Sequence, residues 1–368
     1  MNIAFITYAL APYRTRQFDE IVKAIPNLKM SVYYYGQTIN TRKWIVNRSD
    51  FFKEHLLKGY FKWGNQYLIY KDIKKIVQNN DIIMLGGYSS PLMFLLTYYI
   101  GKYNKNAVLI MDGISPKKLN ERRNLKYLIK KLLINRMNAY FANGEVSKRY
   151  LNRNFNVDPS KIFNQYLTVD VDKIHEISMN TRNINIKKET KFTILYSGRL
   201  LSGKRVEDIL YAIESSPIRD RLKLLIVGSG EEKNKIQQLG EELNFEISYL
   251  DFIERQDELF QMYGTVDCLI LPSENDAWGL VVNEAEAAEL PVIVSDACGC
   301  VFDLVKEGKN GYSYKSGDIK ELSHRITQVY NSKLKGEKMG EESFKIISNW
   351  KFSDSVQSFQ RLLRNLKK

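Results

Sequence analysis

The stretch "DCLILPSENDAWGLVVNEAEAAELPVIVSD", Asp267 to Asp296, decides the fold. It opens on a short apolar run, crosses a polar loop, continues with valine and alanine at helical spacing, and closes on a second apolar run behind Pro291. Two strands joined through a helix form a βαβ unit, whose long crossover brings the second strand back parallel to the first. In the helix, Val281, Ala285 and Ala288 are expected to share an inward face. Asp276 falls in the loop and Glu284 more than a turn inside the helix, while Gly279 and Leu280 begin it with unpaired amides. Open α/β sheets bind ligands outside the carboxyl ends of their strands, which is where this loop lies. The residue types leave two readings: a helix cap and a solvated acid, or two carboxylates holding opposite ends of a ligand whose phosphate sits on the amides.

The same alternation runs through the chain. Strands are expected at residues 2–7, 29–36, 81–87, 107–113, 139–144 and 161–167, then at 191–198, 222–230, 246–253, 267–273 and 291–296. Each half reads as its own doubly wound α/β sheet. The polar segment "HEISMNTRNINIKKET" (175–190) has no clean periodicity and reads as a linker. The expected organisation is therefore a first domain over 1–175, a second over 176–350, and a helix over 351–368 that packs back across the junction. Val356, Phe359, Leu362 and Leu363 give that helix its apolar face.

A length of 368 residues suits two domains, and Cys268, Cys298 and Cys300 are too few for a disulfide framework. They read as reduced thiols. The beginning of the chain lacks a basic leader and a cleavage site, and the apolar run "PLMFLLTYYIG" (91–101) is too short to span a bilayer. The expectation is a cytoplasmic protein, peripheral on the inner face of the membrane. The net charge of +13 is uneven: up to residue 190 there are 31 Lys plus Arg against 14 Asp plus Glu, and beyond it 24 against 28. A first half so basic is suited to an anionic partner.

In "ILYSGRLLSGKRVEDIL" the strand stops at Gly198, and Arg199 and Lys204 project from the loop that follows. Two fixed cations beside helix amides suit a diphosphate, although a solvated basic loop has the same composition. The next crossover offers Gly228 within a Gly-Ser-Gly turn, short of the dinucleotide fingerprint and equally a plain tight turn.

At this point a resemblance can be named. "LPSENDAWGLVVNEAEAAELPVIVSDACGCVFDLVKEGKNGY" resembles the donor-site signature of retaining glycosyltransferase family four, glycosyl transferases group 1. "YSGRLLSGKRVEDILYAI" is similar to that family's Gly-Arg-x-x-x-x-Lys element, and "GGYSSP" in the first half matches more weakly. The resemblance implies a GT-B fold, two Rossmann-like domains facing across a cleft, and transfer with retention from a nucleotide sugar without a metal. By position, Arg199 and Lys204 would bind the donor diphosphate and Asp276 the sugar hydroxyls, these three forming the catalytic set. Glu284 would hold the ribose, Gly279 and Leu280 the phosphate, and Ile253 would lie near the base, with Gly198, Gly228, Trp278 and Val281 completing the donor site. No cofactor is implied beyond the donor substrate, for which a UDP-sugar is favoured over a GDP-sugar. This sequence has Asp276 where the family has Glu, Glu289 where it has Gly, and Asp112 near the place of its first-domain histidine. "VDVD" (169–172) falls at the family's Gly-Val-Asp turn, although Asp-x-Asp can hold a metal in other transferases.

The acceptor side is expected from "YALAPYRTRQF", through Tyr13, Arg14 and Arg16, together with Asp112. "KKLNERRNLKYLIKKLLINR" (117–136) holds eight basic residues and one acid, with Leu125, Leu132 and Leu133 among its apolar positions. It reads as a basic helix lying on an anionic membrane or as a core helix with a solvated face. The partners expected are thus a nucleotide sugar, a lipid-linked or oligosaccharide acceptor and an anionic membrane surface. Nucleic acid has only the charge in its favour, since no recognition motif is present. A catalytically silent partner subunit of the same fold is the remaining alternative, resting on Asp276 and the absent histidine.

Overall fold

The computed structural model describes residues 1–9, 12–36, 49–63, 66–88, 90–185, 191–243 and 245–367. The described residues divide into two compact units. The first comprises 1–113, 118–167 and 352–368, the second 114–117 and 168–351.

The strands of the first unit are β1 (Asn2–Thr7), β2 (Lys29–Tyr34), β3 (Lys53–Leu56), β4 (Gly59–Trp63), β5 (Gln66–Tyr70), β6 (Ile82–Leu85), β7 (Asn106–Met111), β8 (Ala139–Ala142) and β9 (Ile162–Asn164). Seven of them form one parallel sheet in the order β3-β2-β1-β6-β7-β8-β9, and β4 with β5 makes a separate antiparallel pair. Its helices are α1 (Pro12–Ala24), α2 (Ile73–Asn79), α3 (Pro91–Lys102), α4 (Leu125–Ile134) and α5 (Gly144–Phe155). The central strands are apolar on both faces because helices cover both, as parallel sheets require.

The second unit holds α6 (Val171–Asn185), β10 (Phe192–Ser197), α7 (Val206–Glu214), β11 (Leu222–Val227), α8 (Lys233–Glu242), β12 (Ile247–Leu250), α9 (Gln256–Tyr263), β13 (Cys268–Leu271), α10 (Leu280–Ala287), β14 (Val292–Ser295), α11 (Val301–Leu304), β15 (Gly311–Tyr314), α12 (Ile319–Leu334) and α13 (Met339–Ile347). The parallel sheet runs β12-β11-β10-β13-β14-β15. The direction of winding reverses between β10 and β13, and in the first sheet between β1 and β6. Loops on either side of such a reversal diverge and leave a crevice at the carboxyl ends.

The last helix, α14 (Phe352–Leu366), belongs to the first unit. It sends Val356, Phe359, Leu362 and Leu363 into the same core as Phe18 and Ile21 of α1. The expected linker at 175–190 is helical as far as Asn185. Its periodicity was hidden because Ser178 and Thr181 stand among its inward positions. Their hydroxyls bond back to the carbonyls of Ile174 and Ile177 at 2.6 and 2.9 Å, so small polar residues pack without orphaned groups. Among the described residues no helix is long and apolar enough to cross a membrane.

Candidate functional site

In the second unit the loop after β10 turns at Gly198, leaves Arg199 exposed, and makes one short helical turn at Ser202–Lys204 before α7. Neighbouring loops tie it down. The amides of Gly198 and Leu200 donate to the carbonyls of Val227 and Ser229, each at 2.9 Å, and the Glu274 amide donates to the Gly203 carbonyl at 3.1 Å. Gly228 is fixed by this stitching, since a Cβ there would come within 1.8 Å of the Gly198 carbonyl oxygen. The Gly-Ser-Gly turn therefore lets two loops touch backbone to backbone, a role independent of any ligand.

The fixed loop delivers Lys204 to Asp276, which arrives from the far side of the winding reversal. Their side chains form an ion pair, each about one-fifth exposed. The Trp278 amide donates to the other Asp276 carboxylate oxygen at 3.3 Å, and the Asp276 backbone bonds to Ala297 and Gly299. The carboxylate is thus oriented on two sides, and the Lys204 side chain keeps one-fifth of its surface exposed.

Gly279 then takes a left-handed conformation (φ 97), which a residue with a Cβ would adopt at a cost of about 1 kcal/mol. Here a Cβ would also meet the Leu271 side chain at 2.5 Å. The turn starts α10 at Leu280, and the amides of Gly279, Leu280 and Val281 lack a carbonyl one turn earlier to bond. One turn further, Glu284 accepts a hydrogen bond from the Tyr263 hydroxyl at 2.7 Å. Crowding around the half-buried Glu284 pushes its carboxyl up to about 7, against the pull of that bond.

Two sequence expectations change. Ala285 and Ala288 are buried as expected, but the valine that joins them is Val282, fully buried, whereas Val281 is half-buried. The Trp278 indole points into the core: its Nε1 donates to Asn283 at 2.8 Å and its ring stacks on Trp350 at 5.2 Å. Only its backbone faces Asp276. Ile253 is half-buried in the loop after β12, and Glu289, which stands where the resembled family has glycine, takes a left-handed backbone (φ 54). All three cysteines are free and buried. Tyr263, which the sequence did not single out, sits on the preceding helix with no motif around it.

In the first unit, Arg14 on α1 is buried and forms an ion pair with Asp112, which follows β7. Arg14 also bonds Gln17, whose amide donates to the Gln165 carbonyl at 2.8 Å and the Ser355 hydroxyl at 2.6 Å. Arg14 is therefore a packing residue, not one that reaches outward to an acceptor. Tyr13 donates to the other Asp112 oxygen at 3.4 Å, and Asp112 is half exposed. Arg16 points elsewhere on α1 and pairs with Glu20 at 3.4 Å. At "VDVD", Asp170 accepts from the Lys173 amide at 3.4 Å and Asp172 pairs with Lys351, so the two acids cap and pin α6.

Fold and site together define a class, the GT-B proteins, in which two Rossmann-like sheets share one chain. HepE of Anabaena, solved with UDP, superposes with a TM-score of 0.75 at 17% identity over 99% of this chain and all of its own. Residues 178–346 match the family model described as glycosyl transferases group 1, and the chain carries a domain of that family. A capsular polysaccharide biosynthesis glycosyltransferase, CapM of Staphylococcus aureus, is 26% identical over 166 residues, 45% of this chain and 43% of that protein. The lipopolysaccharide 1,6-galactosyltransferase of Escherichia coli is 30% identical over 132 residues, 34% of this chain and 36% of that protein. The chain spans less than half the length of these curated relatives.

Proposed function

We propose that the chain is a retaining glycosyltransferase that moves a sugar from a nucleotide-diphosphate donor to a lipid-linked or glycan acceptor in the assembly of a cell-surface polysaccharide or glycolipid. The observation that carries this reading is the meeting of Lys204 with Asp276, 72 residues apart in sequence, across the winding reversal of the second sheet and beside the start of α10. As the glycosidic bond breaks, charge builds on the departing diphosphate. Arg199, Lys204 and the amides at Gly279, Leu280 and Val281 are the groups that stabilise it. Asp276, oriented by Lys204 and the Trp278 amide, accepts hydrogen bonds from sugar hydroxyls. Glu284, steadied by Tyr263, accepts from the ribose, and Ile253 lies along the base. On the first unit Tyr13 and Asp112 serve the acceptor.

UDP is the favoured nucleotide, because HepE was solved with UDP and with UDP-glucose. The two lipopolysaccharide and capsule relatives support a surface glycan as product. Calorimetric titration with UDP- and GDP-sugars tests the reading directly. Micromolar binding of a UDP-sugar, lost in Lys204→Ala, is expected; equal binding by that variant, or no binding of any nucleotide sugar, overturns it.

A further inference from the structure

The helix α4 is apolar on two sides. Tyr127, Leu133 and Ile134 face the core of the first unit. Leu125, Leu128, Ile129 and Leu132 follow one another at helical spacing on the other side and remain 72%, 55%, 39% and 62% exposed. A monomeric surface carries scattered leucines as a matter of course, but four in a continuous row on one short helix are a patch. Neighbouring α3, which packs beside α4, adds exposed Phe94 and Tyr98.

The charges around this patch choose its occupant. Arg122, Arg123, Lys126 and Lys131 are all exposed. The one acid between residues 117 and 136, Glu121, is occupied by Lys130 at 2.5 Å and by the Tyr150 hydroxyl. Lys130 is itself turned inward over the Tyr88 ring at 4.3 Å, so it belongs to the fold and not to the surface. What remains is an apolar row edged by exposed cations.

We infer that this face of α3 and α4 docks the first unit onto an anionic lipid surface, with Leu125, Leu128, Ile129 and Leu132 entering the acyl boundary and the arginines and lysines meeting the headgroups. An amphipathic helix lying in the interface has this division of labour. Neither contribution suffices alone: the leucine row is short, and the cations are screened by salt. The inference deepens the transferase reading, resting on it for the acceptor's location at a membrane.

Flotation with vesicles of phosphatidylcholine, with and without phosphatidylglycerol, tests the docking. The protein is expected to float only with the anionic vesicles, less at high salt, and Leu128→Glu with Leu132→Glu is expected to weaken binding by at least about tenfold. Arg122→Glu with Arg123→Glu should weaken it similarly. All these positions are exposed, so thermal melting of the variants should match the wild type. Failure of the wild type to float, or undiminished flotation of the leucine double variant, overturns the docking. So does a wild-type dimer, measured by sedimentation equilibrium, that the leucine variant dissolves while vesicles recruit neither form. UDP-glucose titration of the same samples reads the donor site separately: donor binding without flotation sinks the docking alone, and flotation without donor binding sinks the transferase reading alone.

Discussion

Arg14 with Asp112 in the first unit and Lys204 with Asp276 in the second are both cation–carboxylate pairs at the carboxyl ends of parallel strands. In each the cation follows the strand where winding reverses. They differ in what surrounds the cation. The Arg14 side chain is 4% exposed and locked to Gln17, which holds Gln165 and Ser355. The Lys204 side chain is 20% exposed and pairs with Asp276. A buried guanidinium whose donors are satisfied within the fold is a structural joint. A partly exposed ammonium carries three N–H donors, so beside a helix start it keeps capacity for a ligand. Proximity of opposite charges at a strand end is thus insufficient to mark a site; the remaining bonding capacity marks it.

The largest effect that could break this contrast is in the second unit. Lys204→Ala is expected to slow transfer by about a thousandfold with little change in melting temperature, measured by UDP release and thermal melting. Wild-type turnover in that variant would put Lys204 in the same structural class as Arg14. For Arg14 the expectation is the reverse. Arg14→Ala should destabilise the fold by about 3 kcal/mol in chemical denaturation while donor titration is unchanged, because it breaks a buried pair and strands Gln17.

Glu284 sharpens the contrast through pH. Its carboxyl titrates near 7 in the folded chain, above the ordinary 4.5 expected on unfolding. Between those values the folded state keeps a proton that the unfolded state has released, so stability falls as pH rises through the window. Glu284→Gln removes the penalty and should gain on the order of 2 kcal/mol at pH 8 but nothing at pH 4, while weakening donor binding. Equal stability of the variant and wild type at both pH values would show that burial does not hold the proton. The smallest effect is Trp278→Phe, which loses the bond to Asn283 and part of the stack on Trp350. About 1 kcal/mol of stability should go with donor affinity intact; a selective loss of affinity would return the indole to the donor site.

The sequence revealed strands according to how continuous their apolar residues are. β1, β7, β10 and β13 are apolar on both faces and stand out as runs. The edge strands β3, "KEHL", and β15, "GYSY", are short and mixed and neither was anticipated, whereas the edge strands β9, "IFN", and β12, "ISYL", are apolar enough to show in the sequence. The Asp276 segment was legible as a loop placed after a strand, which local pattern dictates. Which side chains remain available was not legible. Arg14 is satisfied by Gln17, which reaches Ser355 from the other end of the chain, and Tyr263 reaches Glu284 from a different helix. Such contacts depend on long-range packing that no local spacing encodes.

The docking of α14 on the first unit bears on the order in which the protein can be made. Phe359 and Leu362 lie in one core with Phe18 and Ile21, yet a ribosome adds them only after every residue of the second unit. The usual N-terminal-first order of cotranslational folding is then expected to invert, the middle of the chain closing before the beginning receives α14. A chain stopped at Lys351 should resist protease across 168–351 and be cut within the first unit; uniform resistance would show that the first sheet completes itself without α14.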